Sequence, residues 1–159
     1  MDHADWIRSY CEAWEKADED LVASLFTPDA SYRSSPFREP FRGQAEIRAY
    51  WRRGAGHQRE TRVRMGSPFV DGRRVAVEWW ATMIEEDEAV TLPGCLILRF
   101  ADDGRCSDLR EYWHLEAGRR EPFAGWGTKR LKRDVPHRAV EDLLINSTGL
   151  ITSEVVDLG

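Results

Sequence analysis

Apolar side chains at the start of the chain recur at the spacing of an α-helix. Trp6, Tyr10 and Trp14 lie four residues apart, so they share one helix face, and Ile7 lies beside them. The pattern predicts a helix over residues 4–17 with an apolar stripe. Aromatic rings on such a stripe fill a core or line a pocket for a flat or apolar ligand.

Two shorter helical patterns follow. Leu21 and Leu25 share one side of a second helix, which is expected to end at the Thr-Pro-Asp sequence of 27–29 because proline cannot continue helical hydrogen bonding. A short extended stretch is predicted at 30–34. A third helix is predicted at about 44–53, where the apolar positions again fall on one face.

From residue 60 onward the pattern changes to the two-residue alternation of β-strands. Strands are predicted at 75–84, 90–100 and 105–115, separated by charged or glycine-containing turns such as the Asp-Gly of 71–72. Helices followed by consecutive strands are typical of an α+β fold. We therefore expect a curved antiparallel sheet wrapped around the N-terminal helices.

Size and charge narrow the class of protein. The chain has 159 residues, of which 42% are hydrophobic, and this suits one core with room for a cavity. A net charge of −5 argues against a nucleic-acid partner. The basic residues within 129–133 are interrupted by a leucine and are interpreted as a solvated surface.

Cysteine and histidine spacing indicates neither a disulfide framework nor a metal site. Cys11, Cys95 and Cys106 are odd in number and lack the CxxC spacing, and no histidine pair has ligand spacing. We expect no cofactor and no metal. No basic leader with an apolar run and no long apolar span is present in the sequence, so we expect a cytoplasmic protein without membrane contact.

Four stretches in this order carry a family resemblance. They are SYCEAWEKADEDLVASLFTPDASYRSSPF (9–37), FRGQAEIRAYW (41–51), RRVAVEWW (73–80) and DGRCSDLREYWHL (103–115). Together they resemble the NTF2-like superfamily, in particular its SnoaL-like branch. The resemblance implies a cone-shaped fold, in which three helices cover a curved sheet and a cavity opens at the wide end.

The resemblance also implies a domain layout and a range of functions. Residues 1–118 are expected to form the pocket domain, and 119–159 a C-terminal loop and extension packed on the same domain, with a candidate helix at 136–145. The branch includes polyketide cyclases, ketosteroid isomerases and limonene-epoxide hydrolases, so membership implies a small-molecule pocket and not one reaction.

Individual positions match the catalytic residues of these relatives. Tyr10 lies where ketosteroid isomerases place a tyrosine that donates to an oxyanion. Tyr32 and Ser34 keep the spacing of the water-binding Tyr and Asn of limonene-epoxide hydrolases, and Glu111 of LREYW takes the place of their aspartate. Counting from Glu111, Glu78 falls at one of the two middle-strand positions where those enzymes carry an Arg and an Asp.

Strand alternation counted in this way gives a candidate pocket lining. The predicted lining residues are Tyr32, Ser34, Glu78, Trp80, Cys95, Ile97, Glu111 and Trp113. Two carboxyl groups close together in a dry pocket would divide into an acid and a base. Structural ion pairing, for example with Arg99, stays open as the alternative. Trp126 is expected either to cover the cavity or to pack on the first helix.

Two functions remain open from the sequence. The first is binding of a small apolar or aromatic ligand with acid–base chemistry, in which Glu111 is the base and Glu78 the acid or an ion-pair partner. Tyr32 and Ser34 would orient water or the ligand, and Tyr10 would donate a hydrogen bond. The second is a non-catalytic module that forms a homodimer through the outer sheet face, with Trp79 and Met83 in the seam.

Overall fold

Three helices, each with a buried apolar side, lie in the first third of the chain. The computed structural model describes residues 1–128, and the helices are α1 (His3–Lys16), α2 (Glu19–Ser24) and α3 (Gly43–Gly54). Asp2 caps α1 by accepting a hydrogen bond from the Asp5 amide at 2.7 Å. The first and third predicted helices are confirmed to within one residue at each end.

Eight strands form one sheet within residues 1–128. They are β1 (Phe26–Arg33), β2 (Phe41–Arg42), β3 (Arg59–Met65), β4 (Phe69–Asp71), β5 (Arg74–Glu85), β6 (Glu88–Phe100), β7 (Cys106–Trp113) and β8 (Glu116–Ala117). A single 3₁₀ turn, Ala55–His57, links α3 to β3. The three long predicted strands correspond to β5, β6 and β7.

The prediction for the start of β1 is wrong. The second helix ends at Ser24, and Phe26 already belongs to the strand, which contains Pro28. The pairing of β1 with its neighbour shifts register between Phe26 and Ser31. Proline is tolerated in a strand at such an irregularity because no regular ladder bond is required of it.

The strand order is β2-β1-β7-β6-β5-β3, with β4 paired to β5 and β8 to β6. β1 and β7 run parallel, whereas the other pairs are antiparallel. The α+β class and the curved sheet are confirmed, but the sheet is mixed and not wholly antiparallel. β1 and β7 are far apart in the chain, so no tight turn forces them to run in opposite directions.

One face of the sheet packs against the helices and forms the core. On β5 the buried side chains are Val75, Val77, Trp79, Ala81 and Met83. Trp79 and Met83 were predicted to face outward in a dimer seam, and this is wrong, since both are at most 1% exposed. Gly94 of β6 allows this packing, because a Cβ there would lie 2.5 Å from the Trp79 ring.

The segment after β8 lies on the outer side of the sheet. The Trp80 indole donates to the Arg120 carbonyl at 2.9 Å, and the Ser67 amide donates to the Gly127 carbonyl at 2.7 Å. Residues 129–159, including the predicted helix at 136–145, lie outside the described residues, so the two-part domain layout stays a prediction. None of the helices within 1–128 is long and apolar enough to cross a membrane.

Candidate functional site

A cavity of about 180 Å³ lies between the helices and the inner face of the sheet. α1 contributes Trp14 to its wall and α3 contributes Tyr50 and Trp51, and the rest comes from the end of α3, the 3₁₀ turn after it, the strands and the residues that follow β7. The lining residues are Trp14, Tyr32, Tyr50, Trp51, Gly54, Ala55, Gln58, Trp79, Glu85, Leu92, Glu111, Trp113 and Leu115.

Glu111 is a buried carboxyl group in this wall, held by two tyrosines. The Tyr32 hydroxyl donates to Glu111 Oε1 at 2.7 Å, and the Tyr10 hydroxyl donates to the same oxygen at 3.1 Å. The two hydroxyl oxygens are 3.0 Å apart. Among the described residues no hydrogen bond ends on Oε2. That oxygen is therefore available to a molecule in the cavity.

The strand register explains why these groups meet. β1 runs beside β7 with Tyr32 opposite Leu109 and Arg33 opposite Arg110, so the inward side chain of Tyr32 lies next to that of Glu111. Tyr10 reaches the same point from the apolar face of α1, which covers the sheet. The sequence predictions for Tyr10, Tyr32 and Glu111 placed all three on the cavity side, and the structure brings them together.

Burial determines the protonation of this cluster. Burial raises the pKa of Glu111 from 4.5 to about 7, while the hydrogen bonds from Tyr32 and Tyr10 lower it in part. Burial, with the nearby Glu111 charge, raises the pKa of both Tyr10 and Tyr32 well above 10. Near neutral pH Glu111 thus exists in both its acid and base forms, and both tyrosines remain hydrogen-bond donors.

Tryptophan rings form much of the remaining wall. Trp14 makes edge-to-face contacts with Trp51 and Trp79, with ring centroids 5.8 and 4.9 Å apart. Trp113 donates its indole N–H to the Ser34 carbonyl at 2.9 Å and so spans from β7 to the end of β1. The Trp14 indole is satisfied by Gln58 at 3.0 Å.

Two other indole groups in the wall have no partner. The Nε1 atoms of Trp51 and Trp79 are buried and form no hydrogen bond within residues 1–128. Buried donors are nearly always paired, with protein or with water, so each is costly if it stays unpaired. A water or ligand acceptor reaching these edges would satisfy them.

Four predicted lining residues lie on the other face of the sheet. Val77 pairs with Leu96, and Leu96 pairs with Glu111, so this row faces the cavity. The next row, Glu78, Cys95 and Tyr112, therefore faces outward. The inward placement of Glu78, Trp80, Cys95 and Ile97 is wrong, since counting from Glu111 shifted β5 and β6 by one position.

Trp126 also lies on this outer side, so it neither covers the cavity nor packs on α1. Its ring contacts Trp80 at 6.0 Å between centroids, and the Arg64 guanidinium lies 5.7 Å from its centroid. These groups belong to an outer groove of about 570 Å³, and Glu111 and Trp113 line both this groove and the cavity. Glu78 lines the groove and is exposed, so it makes no buried carboxyl pair with Glu111.

Ser34 and Trp113 keep the side that was predicted for them. Ser34 is buried and offers its backbone carbonyl to Trp113, but its side chain does not line the cavity. A hydrogen bond with Ser34 lowers the pKa of Tyr50, which burial raises overall. Trp113 lines the cavity while 42% of it remains exposed.

Several lining residues were missed from the sequence. Tyr50 and Trp51 lie on the predicted apolar face of α3, and Trp14 on that of α1, so the helix stripes already pointed to them. Trp79 was assigned to the wrong side. The signal for its true side was that positions 75, 77, 79, 81 and 83 are all apolar, while their neighbours include Glu78 and Thr82.

Comparison with known proteins gives a family and a fold. The profile of the SnoaL-like domain matches residues 7–109, which is more than half of the chain. No curated protein matches the sequence.

Two solved structures have similar folds. One is SalBIII, described as an epoxide hydrolase/cyclase-like enzyme in pyran ring formation in the polyether salinomycin. It is 20% identical in sequence with a TM-score of 0.62, and the alignment covers 70% of this chain and 89% of SalBIII. The other is a hypothetical protein from Catenulispora acidiphila with a ketosteroid isomerase-like fold, in complex with trimethylamine. It is 15% identical with a TM-score of 0.63, and the alignment covers 70% of this chain and 86% of that protein. At these identities the likeness shows the shared fold.

Proposed function

The chain belongs to the SnoaL-like domain family, and from this premise we propose that it binds a small molecule in the cone cavity and that Glu111 exchanges a proton with it. The observation that carries the proposal is Glu111 itself. The residue is 6% exposed and lies in the cavity wall, and its carboxyl group accepts hydrogen bonds from Tyr10 and Tyr32 on one oxygen. A carboxyl that only stabilised the fold would more often be paired with a cation.

The pKa of Glu111 suits both directions of proton transfer. General acid–base catalysis is most efficient when the pKa of the group lies near the working pH, and burial raises that of Glu111 to about 7. In its acid form Glu111 would donate a proton to a ligand oxygen, as in ring opening or cyclisation. In its base form it would remove a proton from carbon, as in isomerisation, and the tyrosines would hold the carboxylate in place.

The proposal is tested by following Glu111 directly. In ¹³C-glutamate-labelled protein the side-chain carboxyl resonance of Glu111, assigned by its loss in Glu111→Gln, should titrate near pH 7. Styrene oxide and cyclohexanone, an epoxide and an enolisable ketone, serve as probes. We expect at least one to shift this resonance, with diol formation from the epoxide or deuterium exchange into the ketone that is lost in Glu111→Gln.

Glu78→Gln is the matched control, because Glu78 is exposed on the outer face. That variant should titrate and respond to the probes like the parent protein. A Glu111 resonance that titrates at its ordinary value near 4.5 and is unmoved by both probes would contradict the proposal.

The alternative is a non-catalytic module in the cytoplasm that acts through a homodimer. The observation in its favour is that Phe69, Val70, Tyr112 and Phe123 are each about half exposed or more, and that Tyr112 and Phe123 line the outer groove. Analytical ultracentrifugation discriminates the two functions. A dimer that dissociates in Tyr112→Arg, together with a Glu111 that responds to no probe, would favour the module.

A further inference from the structure

The cavity wall has an unusual balance of chemical groups. Six of its thirteen lining residues are aromatic, two are the carboxyl residues Glu85 and Glu111, and none is Lys, Arg or His. The whole chain has 23 Lys and Arg, so cations are plentiful elsewhere in the sequence. Basic side chains are kept out of this space.

We propose that the ligand of this cavity is a small organic cation, an alkylammonium or a related amine in its protonated form, held by the aromatic wall and by Glu111. This deepens the function proposed above and depends on the same cavity.

The aromatic wall provides one half of the recognition. An ammonium group is attracted by the negative faces of Trp and Tyr rings, and the attraction is strongest when the cation is removed from water. Trp14, Trp51 and Trp79 line the cavity, and the Trp14 ring is inclined by 88° to Trp51 and by 68° to Trp79, so the ring faces point in different directions. The ring faces of such a cluster attract a compact cation, and the unpaired Nε1–H groups of Trp51 and Trp79 would be satisfied by water or by a hydroxyl oxygen of the ligand.

Glu111 provides the other half. Its ionised form has two tyrosine hydroxyls on one oxygen but no cation within hydrogen-bond reach among the described residues. Glu85 is only partly buried and also lines a neighbouring surface pocket, so water can solvate its charge. The buried charge that lacks a counterion is therefore that of Glu111, and a cationic ligand would supply it.

The cavity volume limits the size of the cation. At about 30 Å³ per water molecule in the liquid, 180 Å³ corresponds to about six waters. Choline and tetramethylammonium are of this order. Choline also has a neutral isostere, 3,3-dimethylbutan-1-ol, in which carbon replaces nitrogen, so charge is tested at constant shape.

The charged groups around the carboxyl give a second test. A cation prefers the ionised form of Glu111, so its affinity should rise about tenfold from pH 6 to pH 8 for a pKa of about 7. The other titratable or charged groups that face the cluster from the packed elements are Tyr10, Tyr32, Tyr50, Glu85 and Arg38. The three tyrosines stay neutral over this range, because each pKa is raised.

The experiment is a calorimetric titration of the full chain with choline and with 3,3-dimethylbutan-1-ol at pH 6 and pH 8. We expect choline to bind at least tenfold more tightly than the alcohol at pH 8. Glu111→Gln should remove this preference while leaving the weak binding of the alcohol, and Glu78→Gln should behave like the parent protein.

Equal or tighter binding of the alcohol would overturn the cation proposal, and so would binding of neither probe. Failure of the broader function is distinguished by the Glu111 resonance. If the alcohol shifts that resonance and choline does not, the proposal that the cavity binds a small molecule at Glu111 stands, and the proposal that this molecule is a cation is wrong. If Glu111 titrates near 4.5 and no probe moves it, both proposals fall.

Discussion

Glu111 is a carboxyl group that the fold holds away from water and beside two phenols. Its hydrogen bonds to Tyr10 and Tyr32 replace part of the lost solvation, but not enough to keep its pKa at the ordinary value. At the residue scale, therefore, burying Glu111 costs the fold stability and at the same time gives the carboxyl a pKa suited to proton transfer. The same desolvation that raises the pKa makes the acid form available near neutrality.

Replacing Glu111 by Gln should change how stability depends on pH. The folded state binds the Glu111 proton more tightly than the unfolded chain does. The contribution of this proton to the stability of the fold is therefore fully present below pH 4.5 and is lost as the pH rises to about 7. Between pH 5 and pH 8 the parent protein should lose roughly 2 to 3 kcal/mol relative to Glu111→Gln, for a pKa raised from 4.5 to about 7.

Urea unfolding of both proteins at the two pH values measures this difference. Glu78→Gln, on the exposed face, provides the control and should follow the parent protein. Parallel stability curves for the parent and Glu111→Gln would show that burial does not shift this carboxyl.

At the element scale, the phase of β5 decides which chemistry enters the cavity. One phase would place Glu78 opposite Glu111 and make a carboxyl pair. The observed phase places Val77 in that row and leaves Glu111 as the single carboxyl in the middle of the wall, with Glu85 at the rim. Continuous burial of five alternate apolar side chains on β5 outweighs the placement of one glutamate.

Adjacent substitutions on β5 test this phase. Val77→Ala removes two buried methyl groups and should lower the free energy of unfolding by about 2 kcal/mol. Glu78→Ala lies on the exposed side and should change it by no more than about 0.5 kcal/mol. Chemical denaturation of the two variants measures both values, and the reverse order of effects would place the strand in the other phase.

At the scale of the whole molecule, the parallel pairing of β1 with β7 and the cover of α1 assemble the site. The three polar groups come from the first helix, the first strand and the seventh strand, separated by as many as 101 positions in the chain. On the opposite side, residues 118–127 pack on the outer face of the sheet, and none of them lines the cavity.

Trp126→Ala tests the separation of these two faces. The variant loses the ring contact with Trp80 and the contact with Arg64, so it should be less stable by about 1 kcal/mol. The pKa of Glu111 and the affinity of choline should not change, because Trp126 does not line the cavity. Thermal unfolding and the Glu111 resonance check both parts, and a shifted resonance would place Trp126 in the site.

The local periodicity of the sequence determined which helices and strands form and which way many of their side chains point. The stripe of α1, the face of α3 and the inward direction of Glu111 on β7 can each be read over a few residues, because helix and strand repeats act at short range. The same range explains the error at Phe26, where a proline-containing strand follows a helix without a break in the apolar pattern.

Tertiary structure alone decided which of these elements meet. The bonds that build the site join residues 22, 79 and 101 positions apart, and no local pattern records such distances. The parallel pairing of β1 and β7, the true phase of β5 and the outer position of Trp126 all depend on contacts between elements that are distant in the chain. Those contacts form only in the folded chain as a whole, so the cavity, its aromatic wall and its single central carboxyl emerge only there.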